Sequence, residues 1–485
     1  MKNQTMMQFF EWHVEADGNH WNRLKEAAAE LKMRGIDSIW IPPATKGQSA
    51  EDTGYGVYDL YDLGEFDQKG TVRTKYGTKE ELLAAIDECH MNNIKVCMDI
   101  VMNHKAAADD TELFKVIEVD PHDRTKEISA PFDIEGWTKF DFPGRGDKYS
   151  TFKWNFEHFN GTDYDNKTDR VGVFRICGDD KNWNENVDSE FGNYDYLMFA
   201  NIDYNREDVR EEMTRWGKWL YDSTHCDGYR LDAIKHINHD FIRQFVIEMM
   251  LHSGKDFYVV GEFWNPELEA CRNFLDNIEY KIDLFDVSLH YKLHEASIKG
   301  REFDLSTIFD DTLVKSHPLN AVTFVDNHDS QPHEALQSWV EPWFKPSAYA
   351  LILLRQEGLP CVFYGDYYGI KGPEPRDGMK DIIDRLLYVR QFKAYGEQVD
   401  YFDHPNTIGW VRKGIPAVQN SGCAVVVSNG HDGEKTMNVG EERAGEVWVD
   451  ITHSREEKIT IGEDGSATFP VNGGCLSVWS VCEEE

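Results

Sequence analysis

The run over residues 95–104 constrains this chain more than any other. Val96, Met98, Ile100 and Val101 place apolar side chains on both faces of a strand. A strand buried on both faces belongs to a parallel sheet covered by helices. The same rhythm recurs along the sequence. Residues 5–12 and 36–43 read as strands around an amphipathic helix over 21–34, where Leu24, Ala27, Ala28 and Leu31 share a face and Gly35 provides the stop. Thr78 and Glu81 form a capping box for a helix that ends near Asn92. Further on, helices over 206–223, 239–252 and 346–357 separate strands over 227–233, 257–264, 285–290, 321–329 and 361–367. Eight strands alternating with helices predict a (β/α)8 TIM barrel, an α/β fold whose reactive residues sit at the C-terminal ends of the strands.

Two segments break the rhythm. Residues 105–205 are rich in Asp, Asn, Gly and aromatics, with strand-like pieces such as 170–176, and are too long for a plain connection. They read as a loop-rich β subdomain inserted after strand three. Beyond residue 395, short β-rich runs over 424–428, 446–450 and 475–481 alternate with Gly-rich turns, the pattern of a C-terminal antiparallel β-sandwich. The barrel then takes 1–104 and 206–395, the insert 105–205 and the sandwich 396–485.

Composition narrows the function. With 87 acidic against 51 basic side chains the formal charge is −36, a field that repels nucleic acid and anionic membranes and tolerates neutral ligands. Nine scattered cysteines, none spaced as Cys-x-x-Cys, exclude a thiolate metal site and a disulfide framework. The N-terminal residues lack an apolar signal core and no window is long enough to span a membrane, so the expected setting is cytoplasmic, with a secreted protein trimmed of its signal as the alternative. The expected state is a monomer.

Polar residues gather at the ends of the barrel strands. Strand three ends on Asp99-Ile-Val-Met-Asn103-His104, strand four on Arg230 and Asp232 followed by Lys235 and His236, strand five on Glu262 and Trp264, and strand seven on Asp326-Asn327-His328-Asp329. Each motif alone could cap a strand. Together they crowd carboxylates at one mouth, which is costly without a purpose. Arg230 and Asp232 share a strand face, and a guanidinium beside a carboxylate favours its charged form, as suits a nucleophile. Crowding should split the acidities of Asp232, Glu262 and Asp329, leaving one group protonated near neutral pH. Two such groups flanking a sugar linkage are the equipment of a glycosidase, retaining or inverting according to their separation.

These four segments resemble the conserved regions of glycoside hydrolase family 13, the α-amylase family, in particular its liquefying-type bacterial members. Gly54-Tyr55-Gly-Val-Tyr-Asp-Leu-Tyr-Asp-Leu-Gly, Phe-Pro-Gly-Arg-Gly at 142–146, Gly192-Asn-Tyr-Asp195-Tyr-Leu-Met and Trp343-Phe-Lys-Pro agree as well. The resemblance implies endo-hydrolysis of α-1,4-glucosidic bonds in starch, glycogen or maltodextrins with retention. It makes Asp232 the nucleophile, Glu262 the general acid and base, and Asp329 the third carboxylate that grips ring hydroxyls. It gives Arg230 the task of keeping Asp232 ionised, His104 and His328 that of binding hydroxyls, and Tyr55 that of stacking on the sugar. Lys235, His236 and Trp264 would line the leaving-group side, with Glu190 reaching in from the insert. It further implies calcium between insert and barrel, held by Asn103, Asn184, Asp195, Asn201 and the backbone carbonyl of His236. Relatives with a three-ion cluster carry aspartates where this chain has Asn160, Asn184, Asn201 and Asn205, so one more weakly held calcium is expected. A transglycosylase of the same fold and a non-catalytic glucan-binding homologue are the alternatives; the intact Asp232, Glu262 and Asp329 speak against the second.

Overall fold

The computed structural model describes residues 3–254 and 256–482. The tail at 483–485, expected to be solvated, lies outside them. Eight parallel strands close into a barrel: β1 (Met6–Gln8), β2 (Ser38–Ile41), β3 (Lys95–Ile100), β4 (Gly228–Leu231), β5 (Tyr258–Gly261), β6 (Asp283–Phe285), β7 (Ala321–Phe324) and β8 (Leu359–Phe363), with β1 paired to both β2 and β8. The strands are short because polar residues leave the sheet at their C-terminal ends, where the site is built.

The helices follow their sequence signals. α1 (His20–Met33) buries Leu24, Ala28 and Leu31, with Ala27 half-buried, and stops before Gly35 at φ 94°. α2 (Lys79–Met91) opens on the Thr78/Glu81 capping box. α3 (Glu207–Thr224) leads into β4, and α4 (His239–Ser253) starts where the Asn238 side chain accepts the Phe241 amide.

Two expected elements are corrected. Residues 285–290 are not a strand: β6 ends at Phe285 and a helix runs over Val287–Lys299. The Asp286 carboxylate accepts the Leu289 amide at 2.9 Å and the Val314 amide at 2.7 Å, so it caps this helix and anchors a neighbouring one. Residues 361–367 divide likewise, with β8 ending at Phe363 and a helical turn over Tyr364–Tyr368.

The insert is more regular than a loop-rich reading implies. A seven-stranded antiparallel sheet combines His104–Lys105, Asp110–Asp120, Asp123–Glu127, Phe132–Lys139, Phe159–Asp165, Arg170–Ile176 and Ala200–Ile202. Its first and last strands pair with each other, Asn201 opposite His104, and so close the excursion at the barrel rim. At the C-terminal end a six-stranded antiparallel sheet faces the pair Gly433–Asn438 and Ser466–Val471 across a core of Val411, Val426, Met437, Trp448, Phe469 and Trp479.

Candidate active site

The β3–β4 register places Arg230 opposite Asp99. Both are fully buried, and an unpaired charge there would be very costly. Arg230 Nη1 lies 3.1 Å from both Asp99 oxygens and donates to Asp232 Oδ1 at 2.5 Å. Its Nη2 stands 3.1 Å from Glu262 Oε2, at ion-pair distance without the alignment of a hydrogen bond. One guanidinium thus touches three carboxylates from three consecutive strands. Its fixed fork suits that task, as a lysine point charge does not.

Glu262 follows β5, and its Oε2 accepts the Ala233 amide at 2.9 Å. Burial raises its pKa to about 7, with Arg230 pulling down and Asp232 pushing up. The N–H donor and the guanidinium both face Oε2, so the proton resides on Oε1. Asp329 is pushed well above the ordinary carboxylate range by burial and then by Glu262. Asp99 rises to about 6, chiefly through burial. The expected splitting therefore reaches more than one group.

Asp232, Glu262 and Asp329 line a single cavity of about 430 Å³ together with Tyr55, His104 and Trp264. Lys235 and His236 lie on its wall as well. Tyr55 donates its hydroxyl to Asp99 at 2.8 Å and stacks on His328, with centroids 5.0 Å apart and planes 9° from parallel. The Gln8 amide donates to His328 Nδ1 at 3.0 Å, which leaves the ring proton on Nε2, 3.2 Å from Asp329 Oδ2. Burial holds this imidazole neutral.

Other expected contacts are already engaged within the protein. His104 Nε2 meets the Tyr55 carbonyl at 2.8 Å and its Nδ1 meets the Asn103 amide at 3.2 Å, so both ring nitrogens are in use. His236 Nδ1 donates to the Tyr194 carbonyl at 2.6 Å, and burial lowers its pKa to about 3. Lys235 bridges Glu190 at 2.8 Å and the Trp264 carbonyl at 3.1 Å. Glu190 stays at the rim, 44% exposed, outside the cavity wall. The Trp264 indole donates to the Tyr291 hydroxyl at 3.1 Å.

Sequence reasoning gave no role to Asp99, Gln8 or Trp12. Asp99 carried a signal, since an acid within the apolar run 95–101 demands a buried cation, and Arg230 is the one that meets it. Trp12 stacks on Tyr55 at 5.8 Å and 2°, extending the aromatic wall of the cavity.

At the junction of insert and barrel, the buried Asp195 carboxylate accepts Asn160 Nδ2 at 2.6 Å, the Asn184 amide at 2.8 Å and Asn184 Nδ2 at 2.9 Å. Asn201 donates to Asn160 Oδ1 at 2.8 Å. Oδ1 of Asn184 and Oδ1 of Asn201 are buried without a hydrogen-bond partner. Orphaned hard oxygens beside a buried carboxylate fit a calcium ion. Nearby, Asp203 is occupied by Lys181, whose ammonium lies 2.9 Å from its Oδ2 and 2.7 Å from the Phe159 carbonyl.

Residues 25–404 match the family described as alpha amylase, catalytic domain. The chain is 51% identical to a glucan 1,4-alpha-maltohexaosidase from Bacillus sp. (strain 707), over 98% of this chain and 92% of that protein. It is 44% identical to the cytoplasmic alpha-amylase of Escherichia coli (strain K12), covering all of both. Among solved structures, an Anoxybacillus alpha-amylase superposes with a TM-score of 0.66 at 17% identity, covering 100% of this chain and 98% of that one, a likeness of fold. With its catalytic-domain match and relatives this similar along the whole chain, the protein belongs to glycoside hydrolase family 13, the α-amylase family.

Proposed function

We propose that this chain hydrolyses internal α-1,4 bonds of starch-like glucans by a retaining double displacement, with Asp232, Glu262 and Asp329 in three separate roles. The observation that supports this is the unequal sharing of Arg230. Asp232 receives a direct charge-assisted hydrogen bond, whereas Glu262 has only a nearby charge and keeps its proton into the neutral range. Glu262 Oε1–H passes its proton to the glycosidic oxygen as the bond to the anomeric carbon breaks. Asp232 forms a bond to that carbon from the opposite face. Water then attacks the same carbon, the ionised Glu262 takes a proton from that water, and Asp232 departs; two inversions retain the configuration. Asp329 and the His328 Nε2–H hold ring hydroxyls, and Tyr55 offers the ring face that packs on the sugar's C–H face.

Calcium belongs to this reading through Asn103, Asn184, Asp195, Asn201 and the His236 carbonyl. Its charge would offset the buried Asp195 carboxylate and tie insert to barrel. Lys181 on Asp203 and the four asparagines at 160, 184, 201 and 205 support one ion in place of a cluster. In this reading the chain divides into the barrel, the insert at 105–205 and the sandwich from 396. Among the described residues no helix is long and apolar enough to cross a membrane. A cytoplasmic setting draws on the likeness to the E. coli protein of that name. A monomer without nucleic-acid partners accords with the charge of −36.

A timed product analysis on amylose, with a tight glucan mimic as control, tests the function. Internal cleavage gives an early mixture of medium-length oligosaccharides that are released as α-anomers. Accumulation of transfer products longer than the substrate, or binding without cleavage, overturns it.

A further inference from the structure

Lys345 opens the helix Lys345–Leu353, yet its side chain is 1% exposed. Its ammonium lies 2.8 Å from Asp326 Oδ2, pairs with Asp366 as well, and rests 3.0 Å from the centroid of the Trp339 ring. Tyr349 completes the cluster by donating to Asp366 Oδ2 at 2.6 Å. None of these groups lines the glucan cavity, and the mechanism uses none of them. Two buried carboxylates on one ammonium make a poor source of stability. What the cluster does fix is a turn.

Asp326 Oδ1 accepts the Ser330 hydroxyl at 2.8 Å, and Asp326 Oδ2 accepts the Val340 amide at 3.2 Å. Ser330 Oγ in turn accepts the Asn327 amide at 2.9 Å. Asn327 Oδ1 accepts the amides of Asp329 and Ser330, both at 2.9 Å. An ion pair from the Lys345 ammonium to Asp326, followed by hydrogen bonds through Ser330 and Asn327, therefore reaches the backbone of Asp329. Networks of this kind stiffen what they enclose when every member is satisfied.

We propose that Lys345, acting through Asp326 and Ser330, is a positioning residue that fixes the Asp329 carboxylate against the sugar being cleaved. The inference rests on the assignment of Asp329 as the third carboxylate. Burial pushes Asp326 up to about 7 even with Lys345 beside it. Without that ammonium Asp326 takes a proton, and the acceptor that holds Ser330 is weakened.

The test compares kcat and KM on a maltooligosaccharide for Lys345→Met, Ser330→Ala and Tyr349→Phe, each normalised to folded protein by near-ultraviolet circular dichroism. Ser330→Ala keeps the ion cluster and cuts only its link to the turn; kcat falls about tenfold with KM within about twofold. Lys345→Met loses about 10²-fold in kcat, the scale of a 1 Å misplacement. Tyr349→Phe lowers Tm and leaves kcat in place. Wild-type kcat in folded Ser330→Ala overturns the proposal, and so does an equal kcat loss in Tyr349→Phe. If Lys345→Met does not fold, Ser330→Ala decides alone. Asp329→Asn in the same assay separates the two levels: if that variant stays active, the assignment of Asp329 fails, whereas an inactive Asp329→Asn beside a fully active Ser330→Ala defeats the positioning role alone.

Discussion

Arg230 and Asp99 face each other on adjacent parallel strands, and one guanidinium nitrogen sits 3.1 Å from both carboxylate oxygens. The charge of Asp99 is thereby matched before any substrate arrives, while the same Nη1 donates to Asp232 and Nη2 is left to face Glu262. Arg230→Lys keeps the charge and loses the fork. We expect kcat to fall at least about 10²-fold, on the scale of a lost preorganised electrostatic contact. Asp99→Ala leaves the guanidinium partly unpaired and costs about 3–5 kcal/mol of stability, read from urea unfolding. A variant Arg230→Lys with wild-type kcat would rule out the shared-fork account.

Glu262→Gln removes the transferable proton while preserving shape. Turnover drops by about 10²- to 10⁴-fold, the span of general acid catalysis, and calorimetry still records maltoheptaose binding. Retained turnover would remove Glu262 from its role.

The proton on Glu262 also sets the pH response. Its pKa in the folded protein is about 7 against an ordinary 4.5, so kcat/KM declines as pH rises through about 7. The sign for stability is the same. Between the two values the folded chain binds the extra proton, and this group's contribution to stability is lost as pH climbs across that window. Glu262→Gln should flatten that part of the stability profile, measured as Tm against pH. An unchanged profile would place the responsible proton elsewhere.

Chelation tests the metal reading without recourse to activity. Removing calcium lowers Tm, and titrating it back restores Tm with a stoichiometry of one, measured by calorimetry on stripped protein. Two or more tightly held ions per chain would contradict the replacement of aspartates at 160, 184, 201 and 205 by asparagine.

Much of this architecture was legible in the sequence because local and global signals agree. The Thr78/Glu81 box and the helix it opens lie where the residues put them, and the polar strand ends do converge on one cavity. The misreading at 285–290 has a specific cause. Val287 and Leu289 alternate as in a strand, but Asp286 caps a helix whose buried partners Leu293 and Ala296 lie further along. Asp99 was visible as an acid in an apolar run, though its partner sits 131 residues away and only the register brings the two together. Occupied valences were beyond reach from sequence. Nothing in the residue order says that His104 spends both nitrogens on Tyr55 and Asn103, or that Glu190 remains at the rim with Lys235.

The pairing of Asn201 with His104 has a consequence for how such a chain tolerates change. Because the departing and returning segments are stitched together at the rim, chain closure across the excursion is set there, while contacts such as the Arg145–Asp59 ion pair and the Asn238 side chain on the Glu185 carbonyl fasten its flanks to the barrel. Lengthening or trimming what lies beyond that rim alters closure entropy only logarithmically. Between those fastenings the wall over the groove is open to change in length while the eight-stranded scaffold and its shared guanidinium stay as they are.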